Sequence, residues 1–440
     1  MHNIFCNRGI RGHRVKGDQM KDYLLEKFFE SDRWENAIET GVIKGIDKSE
    51  LRKLCSPEYR LALLNAIVTN NYEIAPPHQA LIPKDNGEFR TVYVNEGMDR
   101  VFLSIVNDML FELDHDSIHP ACKSYQKGIG CGKVVQEAVK RINKIERQDI
   151  GFKADLSKYF DSVPIEFIDK EFKRVEERFG RSKIIDVLRK YYHADLCFDP
   201  DGNLIEHYQS LKQGCAVASY LADCVLFHID KRLNIMCDGY YVRYSDDILF
   251  IGNDYVSAMA ALKDELEKMQ MKLNPKKVEL LDKDHWFKFL GFMIKGDQIS
   301  LSKSRVKDFQ KEIESRTIKK RDTTKTKAIN SVNRYLYKGD GKYSWVTSVL
   351  PIITAQKDID TLNEFVMDCI RAVETGKKKV GGLGCVIDKD DYTILRGTGR
   401  NVKANKMKTE KYIEGYKSIR CMQNALNYSR PLYETLVREM

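Results

Sequence analysis

The sequence of 440 residues lacks any apolar run of about 18 residues, the length that a membrane-spanning helix needs. Its first residues also lack the apolar stretch of a secretory signal. Eleven cysteines stand singly, with no Cys-x-x-Cys pair and no Cys/His cluster at zinc spacing, which argues against a disulfide framework and a zinc module. We therefore expect a cytoplasmic protein with free thiols and no membrane partner.

Internal repeats and low-complexity tracts are also missing, and the 42% hydrophobic content suits folded domains rather than disorder. The net charge of +9 is unevenly distributed. Residues 301–440 carry 29 Lys and Arg against 17 Asp and Glu, whereas residues 1–300 carry 44 against 47. A basic segment of this kind is typical of a nucleic-acid clamp beside a catalytic domain, and equally of a solvated surface.

The apolar spacing predicts an α+β fold, with an antiparallel sheet and helices on one face. Residues 21–71 have helical spacing, and residues 80–94 read as two strands joined by a turn. A short strand ends at Asp155, and residues 240–252 form two strands around a tight turn. We expect four regions: an N-terminal helical region (1–74), a central catalytic region (75–300), a helical region (301–375) and a basic C-terminal extension (376–440).

Adjacent aspartates, Asp246 and Asp247, interrupt the apolar strands between Tyr244 and Ile248. Like charges repel there unless a cation lies between them, and hard oxygen ligands suit magnesium. For Ser-Asp-Asp alone, an exposed Asx turn is an equal alternative. Asp155 changes the balance, because pairing of its strand with this hairpin would gather three carboxylates at one sheet edge. Such a cluster can bind two metal ions about 3.5–4 Å apart for phosphoryl transfer.

These two segments resemble the palm motifs of reverse transcriptases, an aspartate–x4–aromatic motif and a tyrosine–x–aspartate–aspartate hairpin. The resemblance spans roughly residues 75–370 and implies a right-hand polymerase, with fingers and palm over 75–300 and a helical thumb over 301–375. Further segments resemble family motifs in the same order: Ile82-Pro83-Lys84 with Arg90, Gln213-Gly214, Leu273 to Lys277, Phe289 to Phe292, and Asn333 to Leu336 with Trp345.

The resemblance implies a catalytic centre made by Asp155, Asp246, Asp247 and Lys277. Lys277 stands where the family has a residue proposed to protonate the departing pyrophosphate, although neighbouring Lys276 makes a plain surface charge an equal alternative. The expected metal ligands are the three aspartates and Leu156. The expected cofactors are two Mg²⁺ ions, with Mn²⁺ as an alternative.

Five residues are expected to bind the incoming nucleotide. Lys84 and Arg90 would grip the triphosphate, and the ring of Phe160 would block a ribose 2′-hydroxyl and so favour deoxynucleotides. Gln213 and Gly214 would lie under the nascent base pair, where a glycine permits close backbone approach. Exposed strand charges, core packing for Phe160 and a helix-starting glycine remain open alternatives.

The expected nucleic-acid contacts are a primer-grip hairpin at Phe289, Leu290 and Gly291, and a lysine cluster at Lys377, Lys378 and Lys379. The implied partners are an RNA template, a DNA product and deoxynucleoside triphosphates, and a homo-oligomer is left open. Residues 376–440 have three interpretations: RNA binding, oligomerisation or completion of the thumb.

The segment after Gln213-Gly214 departs from the family pattern, with Ala218, Ser219 and Asp223 where serine–proline and a final asparagine are usual. No zinc-bearing endonuclease segment follows the thumb motifs. Together these features resemble bacterial defence-associated reverse transcriptases, which act with a dedicated non-coding RNA against phage. The alternatives are a template-independent or protein-primed polymerase of the abortive-infection type, a retron-type enzyme, and a catalytically silent RNA-binding protein.

Overall fold

A computed structural model gives the architecture of the chain. It describes residues 22–40, 43, 45–84, 87–208, 210–339, 344–375, 385–387, 394–396 and 412–439.

Helices dominate both ends of the described chain. Eighteen α-helices lie within the described residues: α1 (Tyr23–Phe28), α2 (Ser31–Thr40), α3 (Lys48–Leu54), α4 (Pro57–Val68), α5 (Gly97–Leu113), α6 (Cys131–Ile142), α7 (Tyr159–Ser162), α8 (Ile165–Phe179), α9 (Lys183–His193), α10 (Val217–Val225), α11 (Phe227–Met236), α12 (Tyr255–Lys268), α13 (Lys303–Arg316), α14 (Lys325–Asn333), α15 (Trp345–Ser348), α16 (Gln356–Thr375), α17 (Ile419–Tyr428) and α18 (Arg430–Arg438).

Strands concentrate between the N-terminal helices and α13. The described residues contain thirteen: β1 (His78–Pro83), β2 (Phe89–Val94), β3 (Asp149–Asp155), β4 (Leu196–Phe198), β5 (Leu204–Glu206), β6 (Tyr240–Tyr244), β7 (Asp247–Ile251), β8 (Glu279–Asp282), β9 (Phe287–Phe289), β10 (Phe292–Lys295), β11 (Gln298–Leu301), β12 (Cys385–Ile387) and β13 (Ile394–Arg396).

The strands pair into four sheets. The central sheet has the order β6-β7-β3-β8 and is antiparallel throughout. An outer sheet has the order β2-β1-β4-β5, with one parallel contact between β1 and β4. Strands β9 to β11 form a third, antiparallel sheet, and β12 pairs with β13. The predicted α+β class with antiparallel sheets is confirmed.

Successive side chains of a strand point to opposite faces of the sheet. In the central sheet the side chains of both faces are buried, each face in its own core. Phe152 of β3 stacks on Phe250 of β7, with ring centroids 5.4 Å apart, and faces a first core formed with the N-terminal helices, α5 and α7 to α12. Ile150, Leu249 and Ile251 face a second core on the other side, formed with α6, the third sheet and the helices from α13 onwards. Burial on both faces explains why β7 reads as a continuous apolar run after its acidic first residue.

The C-terminal helices α17 and α18 pack onto the helical region rather than standing apart. The Tyr433 hydroxyl donates a hydrogen bond to the Val346 carbonyl. Asn363 of α16 accepts hydrogen bonds from the Tyr416 hydroxyl at 3.0 Å and the Ser418 hydroxyl at 2.8 Å. Residues 376–440 have three interpretations: RNA binding, oligomerisation or completion of the thumb. The contacts of residues 412–439 with the helical region favour the third.

Two helical stretches are divided in the structure. Residues 216–234 form α10 and α11 because Leu226, at φ −96° and ψ 11°, leaves the helical conformation. The carbonyls of Ala222 and Asp223 accept hydrogen bonds from the Arg243 guanidinium, which satisfies backbone acceptors near the end of α10. Similarly, α14 ends at Asn333 and continues as a π-helical turn, Arg334–Lys338. Among the described helices, none has both the length and the apolar character needed to cross a membrane.

We expect Ile419→Ala to lower the free energy of unfolding by about 2–5 kcal/mol, because Ile419 is 0% exposed in the second core and its removal leaves a cavity. Tyr428→Ala, on the same helix but at a side chain 85% exposed, is the matched control and should change it by less than about 0.5 kcal/mol. Urea titration of both variants measures the difference. Equal, small effects would show that the C-terminal helices contribute nothing to the core.

Candidate functional site

Strand pairing brings the predicted carboxylates to one edge of the central sheet. In the β3–β7 ladder, Asp155 lies directly opposite Asp247. In the β6–β7 ladder, Tyr244 lies opposite Asp247, so Ser245 and Asp246 alone form the turn of the hairpin. Asp155 is 4% exposed, and Asp246 and Asp247 are half-buried. Three acidic side chains therefore meet at the end of the sheet, as the spacing of the sequence predicts.

Burial and mutual repulsion raise the pKa of two of these carboxyls. The pKa of Asp246 is raised by burial and then by the charge of Asp155. Burial, followed by the charges of Asp246 and Asp155, raises the pKa of Asp247 to about 6. Lys277 opposes the shift at both residues, and Arg90 opposes it at Asp246. Lys153 also opposes the shift at Asp247, so three basic side chains only partly offset the burial and mutual repulsion of the carboxyls.

Lys277 rather than Lys276 faces the carboxylates. Its ammonium donates a hydrogen bond to Asp155 Oδ2 at 2.6 Å, while the Asn274 N–H donates to the Asp155 carbonyl at 2.8 Å. The Asn274 side chain accepts from the Lys276 N–H and so caps the short 3₁₀ turn of residues 275–277. Burial lowers the pKa of Lys277, but the hydrogen bond to Asp155 and the surrounding carboxylates outweigh it and raise the pKa overall.

The donor chemistry of this edge fits a hard divalent cation. Carboxylate oxygens are the ligands that Mg²⁺ prefers, and a cation would relieve the repulsion that raises the pKa of Asp246 and Asp247. Within the described part of the chain, however, no three His, Cys, Asp or Glu side chains are gathered as a ready metal-binding group. Leu156 can contribute only backbone atoms, and its N–H donates to the Asp246 carbonyl at 3.1 Å. Asp155 Oδ2 accepts the hydrogen bond from Lys277, so a bound cation would compete with that ammonium for the oxygen.

The two basic residues predicted to bind the triphosphate belong to the first hairpin of the outer sheet. Arg90 lies on β2 opposite Ile82, is exposed, and lowers the pKa of Asp246 through its charge. Lys84 lies just after β1, exposed, with its ammonium 3.6 Å from the Glu88 carboxylate. The charge of Arg90 thus acts on Asp246. The nearest described anion to Lys84 is instead Glu88, in the same β1–β2 hairpin.

Phe160 follows Asp155 on the short helix α7, which begins after Lys158 at a left-handed φ of 49°. The ring is partly buried and packs against the first core. The Phe160 carbonyl accepts from the Leu211 N–H at 3.0 Å, and the neighbouring Tyr159 hydroxyl donates to the Ala222 carbonyl at 2.6 Å. These bonds fix the backbone on both sides of the ring, and a role in sugar selection stays a prediction.

The Gln213-Gly214 segment contacts the outer sheet. The Gln213 carbonyl accepts from the Tyr93 N–H at 2.6 Å. Gly214 has φ +105°, and a Cβ there would lie 2.8 Å from the Tyr93 carbonyl oxygen. A glycine is therefore needed at this position because the backbone passes close to β2. This contact explains the glycine without the predicted contact with a base pair. Gly214 is exposed and Gln213 is half-buried, so both remain accessible to a ligand.

The predicted primer-grip hairpin is the turn between β9 and β10. Phe289 is 1% exposed and belongs to the second core, so its side chain does not present a surface to a nucleic acid. Leu290 and Gly291 form the turn, both at positive φ. Arg305 donates to the Leu290 carbonyl at 3.1 Å and lies over the Phe292 ring at 4.3 Å. Lys377, Lys378 and Lys379 lie outside the described residues.

The sequence interpretation missed a buried charged group beneath the acidic hairpin. Arg243 of β6 is 0% exposed and bonded to Asp230 of α11. Asp223, which stands where the family has asparagine, is also 0% exposed and accepts from the Ser124 hydroxyl at 2.5 Å. Burial raises the pKa of Asp223 to about 6, against the opposing charge of Arg243. An arginine within the apolar run 240–244 was the available signal, because such a charge is costly unless it is paired.

Comparison with known proteins gives one family and several structural neighbours. Residues 82–294 match the family model described as reverse transcriptase (RNA-dependent DNA polymerase). The chain is similar to apo telomerase from Candida tropicalis truncated from the C-terminal domain, with 16% identity and a TM-score of 0.42, over 58% of this chain and 61% of that chain. It is similar to telomerase from Candida albicans in complex with a TWJ fragment of telomeric RNA, with 12% identity and a TM-score of 0.40, over 72% and 66% of the two chains.

This chain therefore spans less than two thirds of the length of those two telomerase chains. The comparison with curated proteins gave no match. The family match covers the outer sheet from Ile82, the central sheet with its acidic hairpin, and the third sheet to Ile294. Residues 82–294 thus match a reverse transcriptase domain, and this match agrees with the right-hand polymerase architecture expected from the sequence.

Proposed function

We propose that the protein is an RNA-directed DNA polymerase that extends a primer by metal-dependent nucleotidyl transfer. The observation that carries the proposal is the register of β3 and β7, which sets Asp155 opposite Asp247. Asp246 precedes Asp247 in the turn of the β6–β7 hairpin, and all three residues lie within the segment that matches the family model. Asp155, Asp246 and Asp247, with backbone atoms of Leu156, would hold two Mg²⁺ ions, for which Mn²⁺ is the alternative. When bound, such ions neutralise phosphate charge and favour ionisation of the attacking hydroxyl.

The chain's own side chains supply the remaining chemistry in this proposal. The Lys277 ammonium, which donates to Asp155 Oδ2, would supply a proton to the leaving pyrophosphate. Arg90 would hold phosphate oxygens with its planar fork of donors, which suits bidentate contact. Gln213 and Gly214 remain accessible for the base, and the ring of Phe160 would exclude a 2′-hydroxyl. Lys84 would add a second positive charge for the triphosphate.

The partner and the biological setting form a second level of the proposal. We propose a dedicated non-coding RNA as template, and a cytoplasmic role in bacterial anti-phage defence. The motif departures at Ala218, Ser219 and Asp223 support this proposal by resemblance. The basic C-terminal third, including Lys377 to Lys379, would bind that RNA. Sequencing the nucleic acid that co-purifies with the protein tests it, and host messenger fragments alone would contradict it.

Replacing both Asp246 and Asp247 by alanine should lower deoxynucleotide incorporation by about 10³-fold or more, because residues that act as a unit are lost together. The matched control is Asp282→Ala with Asp284→Ala, an equal change of charge at the end of β8 of the same sheet and in the turn that follows it. Incorporation on an RNA template with a DNA primer, at saturating Mg²⁺, is the measurement. Full activity in the Asp246/Asp247 variant would refute the assignment, and activity without template would favour the template-independent alternative.

Phe160→Ala should raise ribonucleotide incorporation relative to deoxynucleotide incorporation by about tenfold or more, because about 1.4 kcal/mol of steric discrimination corresponds to tenfold. Phe179→Ala is the matched control: Phe179 is also partly buried on the first core, at the end of α8. The ratio of kcat/KM for each nucleotide pair measures the effect. If both variants discriminate as well as the parent, Phe160 serves only packing.

A further inference from the structure

Arg243 is a buried cation three residues before Asp246, and its side chain makes more contacts than an ion pair needs. Its Nε and Nη2 donate to the two carboxylate oxygens of Asp230, at distances of 2.7–3.0 Å. The Tyr241 hydroxyl donates to the same carboxylate at 2.7 Å. Replacing a buried pair by apolar residues is often neutral for stability, so stability alone is a weak reason for this arrangement.

The other donors of Arg243 reach backbone oxygens of separate elements. Nη2 donates to the Asp223 carbonyl at 2.9 Å, and Nη1 to the Ala222 carbonyl at 3.3 Å, both near the end of α10. Nη1 also donates to the Ser245 carbonyl at 3.2 Å, in the acidic turn itself. The Arg243 backbone pairs with the 121–123 segment, since its N–H donates to the Ala121 carbonyl at 3.0 Å. One guanidinium therefore ties α10 and α11 to the turn that carries Asp246.

The turn needs such support because its first residue is strained. Ser245 has φ +59°, in the left-handed region that residues other than glycine avoid. Its side chain is buried and makes a 3.2 Å hydrogen bond with the Tyr125 hydroxyl. Strained residues of this kind persist only when the surrounding structure over-determines them, and they cluster at functional sites. The Arg243 bond to the Ser245 carbonyl and the Tyr125 bond to its hydroxyl hold the residue from two sides.

We propose that Arg243, held in place by Asp230, is a positioning residue that keeps the Ser245–Asp246 turn in its strained conformation and so places the Asp246 and Asp247 carboxylates. Its importance for turnover rests on the proposed polymerase function. The fork geometry is essential, because lysine keeps the charge but cannot reach Asp230, α10 and the turn with one planar group.

Arg243→Lys should lower kcat by roughly 100-fold, the scale of a misplacement of about 1 Å at a catalytic group. It should also weaken Mn²⁺ binding to the substrate-free protein, measured by isothermal titration, because two ligands are misplaced. Arg174→Lys is the matched control, as Arg174 pairs at 2.8 Å with Asp114, a carboxylate that is 0% exposed, away from the turn. That control should lower thermal stability while leaving kcat and Mn²⁺ affinity within about twofold of the parent.

Rescue distinguishes positioning from general stabilisation. Glycine adopts positive φ without strain, so Ser245→Gly in the Arg243→Lys background should recover about tenfold of the lost kcat. The same change in the parent, which also removes the Tyr125 bond, should bring no gain. A non-additive cycle of this kind is the signature of two residues acting on one conformation.

Three results would overturn the proposal: Arg243→Lys behaving like Arg174→Lys, Mn²⁺ affinity unchanged while kcat falls, or no rescue by Ser245→Gly. If Arg243→Lys does not fold, Asp230→Asn is the second variant. It removes the negative charge that pairs with the Arg243 guanidinium and keeps the size of the side chain. Failure of both variants to fold would also overturn it, because Arg243 would then serve the fold as a whole. A parent protein without polymerase activity would refute the proposed function instead, and Mn²⁺ titration would still decide whether Arg243 positions the turn.

Discussion

The pairing of β3 with β7 is the constraint on which the rest of the candidate site depends. A slip of one residue in this ladder would turn every side chain of β3 to the opposite face, moving Phe152 out of the first core and Asp155 away from the hairpin. Because both faces of the sheet are buried, the two cores specify that register strongly. Gly151 adds a steric reason, since any Cβ at that position would overlap the Phe250 carbonyl. Packing of apolar residues thus determines where the acidic residues meet.

Much of this arrangement could be predicted from the sequence because it depends on local patterns. The acidic turn, the strand ending at Asp155 and the paired strands of residues 80–94 each have a short periodic signature, and the structure has all three. The proximity of Asp155 to the hairpin needed one further step, the resemblance between ordered motifs. Helices α6 and α8 each have an apolar face but lie between the recognisable motifs, and neither was predicted.

The remaining features depend on contacts between distant segments, which no local pattern encodes. The steric demand at Gly214 comes from Tyr93, and the burial of Phe289 comes from helices beyond residue 303. Near the break between α10 and α11, two backbone carbonyls of α10 accept hydrogen bonds from Arg243, a residue of β6. The charge of Arg243 was visible in the sequence, yet its meaning required the position of Asp230 and of the turn. Long-range partners of this kind become visible only in three dimensions.

The second core gathers residues that are far apart in the sequence, and this separation affects how the chain folds. Val134 and Val242 belong to the same core as Met422 and Tyr433, so this core gathers residues up to about 300 positions apart in the sequence. Contacts at such separation form late and slowly, because a long loop must close before they contribute any stability. During synthesis, the first core can assemble from residues 24–271 while the other face of the central sheet still awaits its cover. Part of that cover comes from the helices from α13 onwards, so some of the apolar face stays open to solvent until they have left the ribosome, and it is meanwhile a natural site for chaperone binding.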